Sequence, residues 1–192
     1  MSAEALKYFE ETKAILKGHF KLSSGMHSDT YLQCARLLQY PNIAEKLCKQ
    51  LAAKINIKID LVASPAMGGV IVGYEMARQL GCPQIFCERV DGAFEFRRGF
   101  EVPANANILI VEDVVTTAKS SLETVDCIKK YGGNAVAEAC LIDRSNGLAE
   151  KTLPFPLFSL LKLEVPIYDP ANLPAHLAGT NAVKPGSRFL NS

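Results

Sequence analysis

Asn107-Ile-Leu-Ile-Val-Glu-Asp-Val-Val-Thr-Thr-Ala-Lys-Ser-Ser121 is the stretch that decides the fold. Its apolar run, Ile108 to Val111, ends in two adjacent acids, Glu112 and Asp113. After Val114 and Val115 comes a hydroxyl-rich turn from Thr116 to Ser121, then an amphipathic segment from Leu122. The order is that of a buried strand, an acidic strand end, an anion-binding loop and a helix. Hydroxyls and backbone N–H groups at a helix N-terminus suit a phosphate. Carboxylates just upstream suit sugar hydroxyls or a metal-bound ligand. The segment therefore predicts a site for a phosphorylated sugar with a cation nearby.

On either side of this stretch the pattern alternates between helix and strand. Helices are predicted over residues 3–17, 43–55, 67–80 and about 119–131, with Gly18, Gly81 and Gly132-Gly133 as stops. Short strands are predicted at 19–22 and 29–33, around a Ser23-Ser24-Gly25 turn, and at 61–63, 85–87, 108–112, 135–142 and 157–163. Residues 89–106 are polar and punctuated by Gly and Pro, which reads as a loop or hairpin. Apolar strands separated by helices imply an α/β fold, a central mostly parallel sheet flanked by helices. Ligands bind beyond the carboxyl ends of such strands. Ser64-Pro65, Glu112-Asp113 and Asp143-Arg144 are then expected on one edge of the sheet.

The chain has 192 residues, 48% of them hydrophobic, enough for one sizeable core and a single domain. Its net charge of +1, from 21 basic and 20 acidic residues, argues against bulk attraction to nucleic acid or membrane. No apolar run has membrane-spanning length, and the N-terminus lacks a signal peptide's apolar core, so a cytoplasmic location is expected. Cys34, Cys48, Cys82, Cys87, Cys127 and Cys140 form no Cys-x-x-Cys pair and no zinc spacing with His19, His27 or His176. They read as reduced core cysteines.

Each candidate site has an ordinary alternative. Glu112-Asp113 could be an acidic helix cap, but the helix starts several residues later. Two acids after four buried apolar residues are costly without a partner. Thr116, Thr117, Ala118, Lys119, Ser120 and Ser121 could be a solvated cap, although the context favours a phosphate cradle. No Gly-x4-Gly-Lys-Ser/Thr signature is present, which argues against a P-loop nucleotidase. Ser64-Pro65-Ala66-Met67-Gly68-Gly69 lets a ligand approach the backbone, and a plain tight turn fits equally well. Glu88-Arg89 and Arg97-Arg98-Gly99 flank a segment poor in core residues. They read as a solvated surface or as a mobile loop that brings Arg to a polyphosphate. Asp143-Arg144 is either a structural ion pair or, through Arg144, a bidentate carboxylate reader.

The run Ile110 to Ser120 resembles the phosphoribosyl-pyrophosphate (PRPP) signature of type I phosphoribosyltransferases. Other pieces resemble orotate phosphoribosyltransferases in particular: Gly18-His-Phe-Lys-Leu-Ser-Ser-Gly-Met-His-Ser28, Ala63-Ser-Pro-Ala-Met-Gly-Gly-Val70, Glu88-Arg89 with Arg97-Arg-Gly-Phe100, Asp143-Arg144, and Val183-Lys-Pro-Gly-Ser-Arg188. They follow the family order over about residues 15–188. The resemblance implies a type I phosphoribosyltransferase fold with a hood (about 1–40), a core (about 41–165) and a C-terminal extension (about 166–192). It implies Mg2+-dependent transfer of ribose 5-phosphate from PRPP to orotate, giving orotidine 5'-monophosphate and pyrophosphate in pyrimidine (UMP) biosynthesis. Glu112 and Asp113 would hold the ribose hydroxyls, and Val114, Val115, Thr116, Thr117, Ala118, Lys119, Ser120 and Ser121 would wrap the 5'-phosphate. Ser64, Ala66, Met67, Gly68 and Gly69 would face pyrophosphate. Thr116 and Arg144 would contact orotate. Arg89, Arg97 and Arg98 would form a catalytic loop that reaches a partner's site in a homodimer. Mg2+ would arrive through PRPP, with no direct protein ligand.

Three departures from the family pattern stand out. Ala118-Lys119 replaces a common Gly-Gly, so the loop must avoid positive φ there or bear strain. Ser23 stands where relatives often carry Lys. The loop from Asp91 to Phe96 lacks the Lys and His of the longer family version. Two competitors remain: a type I enzyme with a purine or uracil acceptor, and a non-catalytic PRPP-sensing regulator.

Overall fold

The computed structural model describes residues 3–22 and 24–184, so Ser23 and residues 185–188 lie outside the described residues. In chain order the elements are α1 (Ala3–Glu11), β1 (Ile15–Lys21), β2 (His27–Leu32), α2 (Ala35–Leu38), α3 (Pro41–Ala52), β3 (Leu61–Pro65), α4 (Gly68–Leu80), β4 (Gln84–Val90), β5 (Ala93–Phe96), β6 (Asn107–Val115), α5 (Lys119–Lys130), β7 (Asn134–Asp143), α6 (Leu148–Thr152) and β8 (Leu157–Lys162). Among the described residues one sheet has six strands in the order β5-β4-β3-β6-β7-β8. Its pairs are parallel except for β5, which folds back antiparallel on β4. A separate antiparallel pair, β1-β2, forms the hood. It is tied to the C-terminal segment where Phe20 bridges Val183 and His27 bridges Tyr168.

Strand alternation divides the core into two layers. Val62, Leu109 and Val111 face one side with Leu47 and Leu51 of α3 and Val72 and Met76 of α4. Leu61, Ala63, Ile108 and Ile110 face the other, with Val125 and Ile128 of α5. Ile108, Leu109 and Ile110 are fully buried, each stabilising the fold by roughly 1.5–3 kcal/mol. This two-sided burial explains why β6 reads as a continuous apolar run.

Four expectations change. The first helix stops at Glu11, because Lys13 adopts φ +53° and the Ala14 N–H closes onto the Phe9 carbonyl at 2.8 Å. Residues 15–17 then join β1, paired with β2. The short helices α2 and α6 were not anticipated. The segment 89–106 is not poor in core residues: Phe94 and Phe96 of the β4–β5 hairpin are buried, and Phe100 and Val102 pack on the same cluster. Finally, β6 does not stop at residue 112 but stays paired with β7 as far as Val115 opposite Asp143.

Candidate active site at the strand ends

The length of β6 sets the geometry of the two acids. Because the strand continues through them, Glu112 and Asp113 point to opposite faces of the sheet. Asp113 shares the face of Leu109 and Val111, toward α4. A Cβ on Gly68 would stand 2.6 Å from Asp113 Oδ1, and one on Gly69 would stand 2.7 Å from the Val111 carbonyl. The β3–α4 turn thus packs directly on the Asp113 side of the strand end. Its Ala66–Met67 peptide is cis. Ser64 is fully buried, whereas Met67 and Gly68 are exposed.

Glu112 lies on the α5 side and is buried. Ser120 Oγ is 3.4 Å from its Oε2, and Ser121 Oγ is 3.5 Å from its Oε1. Burial pushes its carboxyl up to about 7; the two serine hydroxyls oppose that rise and Asp113 adds to it. Asp113 is also pushed up, chiefly by burial, against a 2.9 Å hydrogen bond from the Val114 N–H.

Thr116 and Thr117 are exposed in the turn between β6 and α5. Ala118 is buried and takes φ +58°, so the chain bears the left-handed conformation rather than avoiding it. Lys119 opens α5 with an exposed side chain, its Nζ 4.0 Å from Glu123. The Leu122 N–H bonds back to the Ala118 carbonyl. The preceding N–H groups, at the helix start, have no helical acceptor and suit an anion. Ser121 turns away from this opening: it is buried, and its hydroxyl is 2.8 Å from Glu138.

The basic candidates are spread more widely. Arg89 pairs with Glu123 and stacks 4.3 Å from the Phe94 ring centroid. Arg98, at φ +63°, donates twice to Glu88, at 2.9 and 2.8 Å. Arg97 is exposed beside it. Arg144 and Asp143 diverge instead of pairing. Asp143 is buried and accepts the Ser145 N–H at 2.8 Å. Arg144 is half-buried and lies in the electrostatic range of Tyr31, which also feels Asp113. Tyr31, on strand β2 of the hood, is thus within electrostatic range of both Asp113 and Arg144.

Tyr31 and Glu138 were not singled out from the sequence. In β2 the alternation of half-buried His27, Asp29 and Tyr31 with buried Ser28, Thr30 and Leu32 could have placed Tyr31 on the open face. Nothing local places the hood over the sheet.

The phosphoribosyl transferase domain family matches residues 34–160. An orotate phosphoribosyltransferase from Sphingopyxis alaskensis is 51% identical over 191 residues, covering 97% of each chain. Among solved structures, Leishmania donovani UMP synthase superposes with a TM-score of 0.73 at 23% identity, covering 84% of this chain and 36% of the other. Orotate phosphoribosyltransferase from Aeropyrum pernix superposes with a TM-score of 0.68 at 23% identity, covering 82% of this chain and 93% of the other. The structural likenesses carry the fold, and the full-length sequence identity carries the family. The acidic strand end, the two turns beside it and the hood over them therefore sit in a chain that belongs to the phosphoribosyltransferase family, among its orotate phosphoribosyltransferases.

Proposed function

We propose that this chain transfers ribose 5-phosphate from PRPP to orotate, releasing pyrophosphate and orotidine 5'-monophosphate in pyrimidine biosynthesis. The observation that carries this reading is that Asp113 and Arg144 both lie within electrostatic range of Tyr31, in a chain half identical to orotate phosphoribosyltransferases along its length. The 5'-phosphate would sit on the N–H groups and hydroxyls of residues 116–120. Arg144 would take the orotate carboxylate. Carbon–nitrogen bond formation at the anomeric carbon develops positive charge on the sugar, which desolvated carboxylates beside the ribose hydroxyls stabilise. Pyrophosphate leaves with growing negative charge, for which Arg89 of the hairpin and Arg97 and Arg98 just after it would supply the cations. Orotate's ring nitrogen attacks as an anion, so no dedicated general base is required.

Mg2+ belongs to the proposal. Among the described residues no group of three or more His, Cys, Asp or Glu could hold a metal ion. Hard oxygen ligands from PRPP and water would suit Mg2+, with no direct protein ligand. When bound, the ion would neutralise charge on the departing pyrophosphate.

The proposal also includes a cytoplasmic homodimer. Among the described residues no helix is long and apolar enough to cross a membrane. Met67, just before α4, and Ile71 and Tyr74 on it form an exposed apolar stripe at helical spacing, 84%, 52% and 67% accessible. A second copy covering this stripe would lie against the pyrophosphate turn and could receive an Arg from the hairpin.

The test is acceptor profiling with purified protein, PRPP, Mg2+ and a panel of bases, reading pyrophosphate release. Release with orotate and not with adenine, guanine or uracil is expected; no release with orotate overturns the assignment. In the same assay Arg144→Ala should raise KM for orotate by roughly 30-fold, about the worth of a charged hydrogen-bond pair. Equal loss toward orotate and PRPP would remove Arg144 from the acceptor site.

A further inference from the structure

The buried acid Glu138 has no place in the chemistry above. It sits in the middle of β7, opposite Ile110 of β6, on the α5 side of the sheet. Its side chain is completely buried, yet its Oε2 has no hydrogen-bond partner. Its other oxygen, Oε1, is 2.8 Å from Ser121 Oγ, and that same hydroxyl is 3.5 Å from Glu112 Oε1. The charged groups around it are also acids: Glu112 on β6 and Asp143 further along β7. Among the described residues no cation acts on it.

An ionised carboxylate in this position would be desolvated, repelled by two acids and left with an unpaired oxygen, a combination that disfavours the charged form. Protonation removes the charge and turns one oxygen into a donor. A serine hydroxyl has a single hydrogen. If Glu138 were anionic, the shorter contact would take that hydrogen and Glu112 would lose it. If Glu138 is the neutral acid and donates from Oε1, the Ser121 hydrogen is free to point at Glu112.

We propose that Glu138 is a positioning residue: as a neutral carboxylic acid it donates to Ser121, which in turn donates to Glu112 and holds that carboxylate toward the ribose of PRPP. Burial and the neighbouring Glu112 push its carboxyl up to about 8, which agrees with the neutral form at physiological pH. Ser120, 3.4 Å from the second oxygen of Glu112, completes the tether. In its ionised form Glu112 is thereby held as an acceptor for sugar hydroxyls. No proton leaves the relay during turnover; Glu138 acts only through Ser121.

The inference rests on the assignment of Glu112 to the PRPP site, so its test separates the two. PRPP binding is measured by calorimetry with Mg2+ and no acceptor, and turnover with orotate is measured apart. Binding that persists without orotate turnover would break the acceptor assignment and leave the relay intact. Ser121→Ala should weaken PRPP binding about tenfold, the worth of one charge-assisted hydrogen bond, with KM for orotate within about twofold. Glu138→Leu should do the same. Glu138→Gln, whose amide donates to Ser121 without a charge, should stay within about threefold of the wild type. In the double variant Glu138→Leu with Ser121→Ala, the losses should not add. The relay is overturned if Glu138→Gln is as damaged as Glu138→Leu. It is also overturned if the two losses are additive, or if Ser121→Ala binds PRPP as the wild type does.

Discussion

The β3–α4 and β6–α5 turns lie side by side at the carboxyl ends of neighbouring parallel strands. They treat glycine in opposite ways. In the first, Gly68 and Gly69 are required by space, since a Cβ would stand 2.6 Å from the Asp113 carboxylate and 2.7 Å from the Val111 carbonyl. In the second no glycine is present, and Ala118 takes φ +58°. A left-handed residue costs roughly 1–2 kcal/mol, which a well-packed turn can bear. A backbone oxygen inside van der Waals distance cannot be accommodated without moving the strand. Tolerance at 118 and intolerance at 69 thus follow from one distinction, dihedral cost against excluded volume, while at 68 the added carbon displaces the Asp113 carboxylate.

The largest effects are expected where the first turn touches Asp113. Gly68→Ala should push the carboxylate aside and lower kcat/KM by about 100-fold, the scale of a 1 Å misplacement; activity within threefold of the wild type would show that the contact is slack. Asp113→Asn should lose about as much turnover through charge alone. Its melting temperature should not fall, because burial already disfavours the charged form. Wild-type turnover would take Asp113 out of the mechanism.

The second turn should announce itself in pH dependence. Glu112 is raised from 4.5 to about 7 and Glu138 from 4.5 to about 8. For an acid whose folded pKa is raised, the folded state binds the extra proton, so stability is fully present below the unfolded value and lost as pH rises through the folded one. The ligand-free protein should therefore lose melting temperature between about pH 5 and 8 from these two groups, and Glu138→Gln should remove part of that slope. An unchanged slope in the variant would mean that Glu138 is not titrating there.

Smaller effects separate strain from charge. Ala118→Gly should relieve the left-handed conformation, offset in part by glycine's backbone entropy. The net gain of up to about 1 kcal/mol corresponds to a melting-temperature rise of about 2–4 °C; a fall would refute the strain account. Lys119→Ala should be the mildest, within about twofold in PRPP affinity and about 0.5 kcal/mol in stability, since its weak contact with Glu123 is exposed. A tenfold loss of affinity would place Lys119 on the phosphate.

The parallel sheet was legible because β3, β6 and β7 are covered on both faces, so their apolar runs and the helical spacings between them carry the signal locally. The turn between β6 and α5 was legible because hydroxyl residues mark a helix start locally. The first helix was overextended because its apolar spacing continues to residue 16, while pairing of Ile15–Lys21 with β2 claims that segment. The hairpin reading of residues 89–106 holds, but its core content was missed because its Phe residues are spaced among charges, and their burial depends on α5 and residues 100–106 closing over them.

What the sequence determined by itself is chemistry in order along the chain: a buried strand, two acids, a hydroxyl-rich turn, and the motifs that mark the family. Tertiary structure decided direction. Continued pairing of β6 with β7 sends Glu112 and Asp113 to opposite faces, and only the packing of α5 on the sheet brings Ser121 between Glu112 and Glu138. The physical reason is that side-chain direction in a strand depends on where pairing ends. The environment of a buried acid, in turn, is set by neighbours distant in the chain.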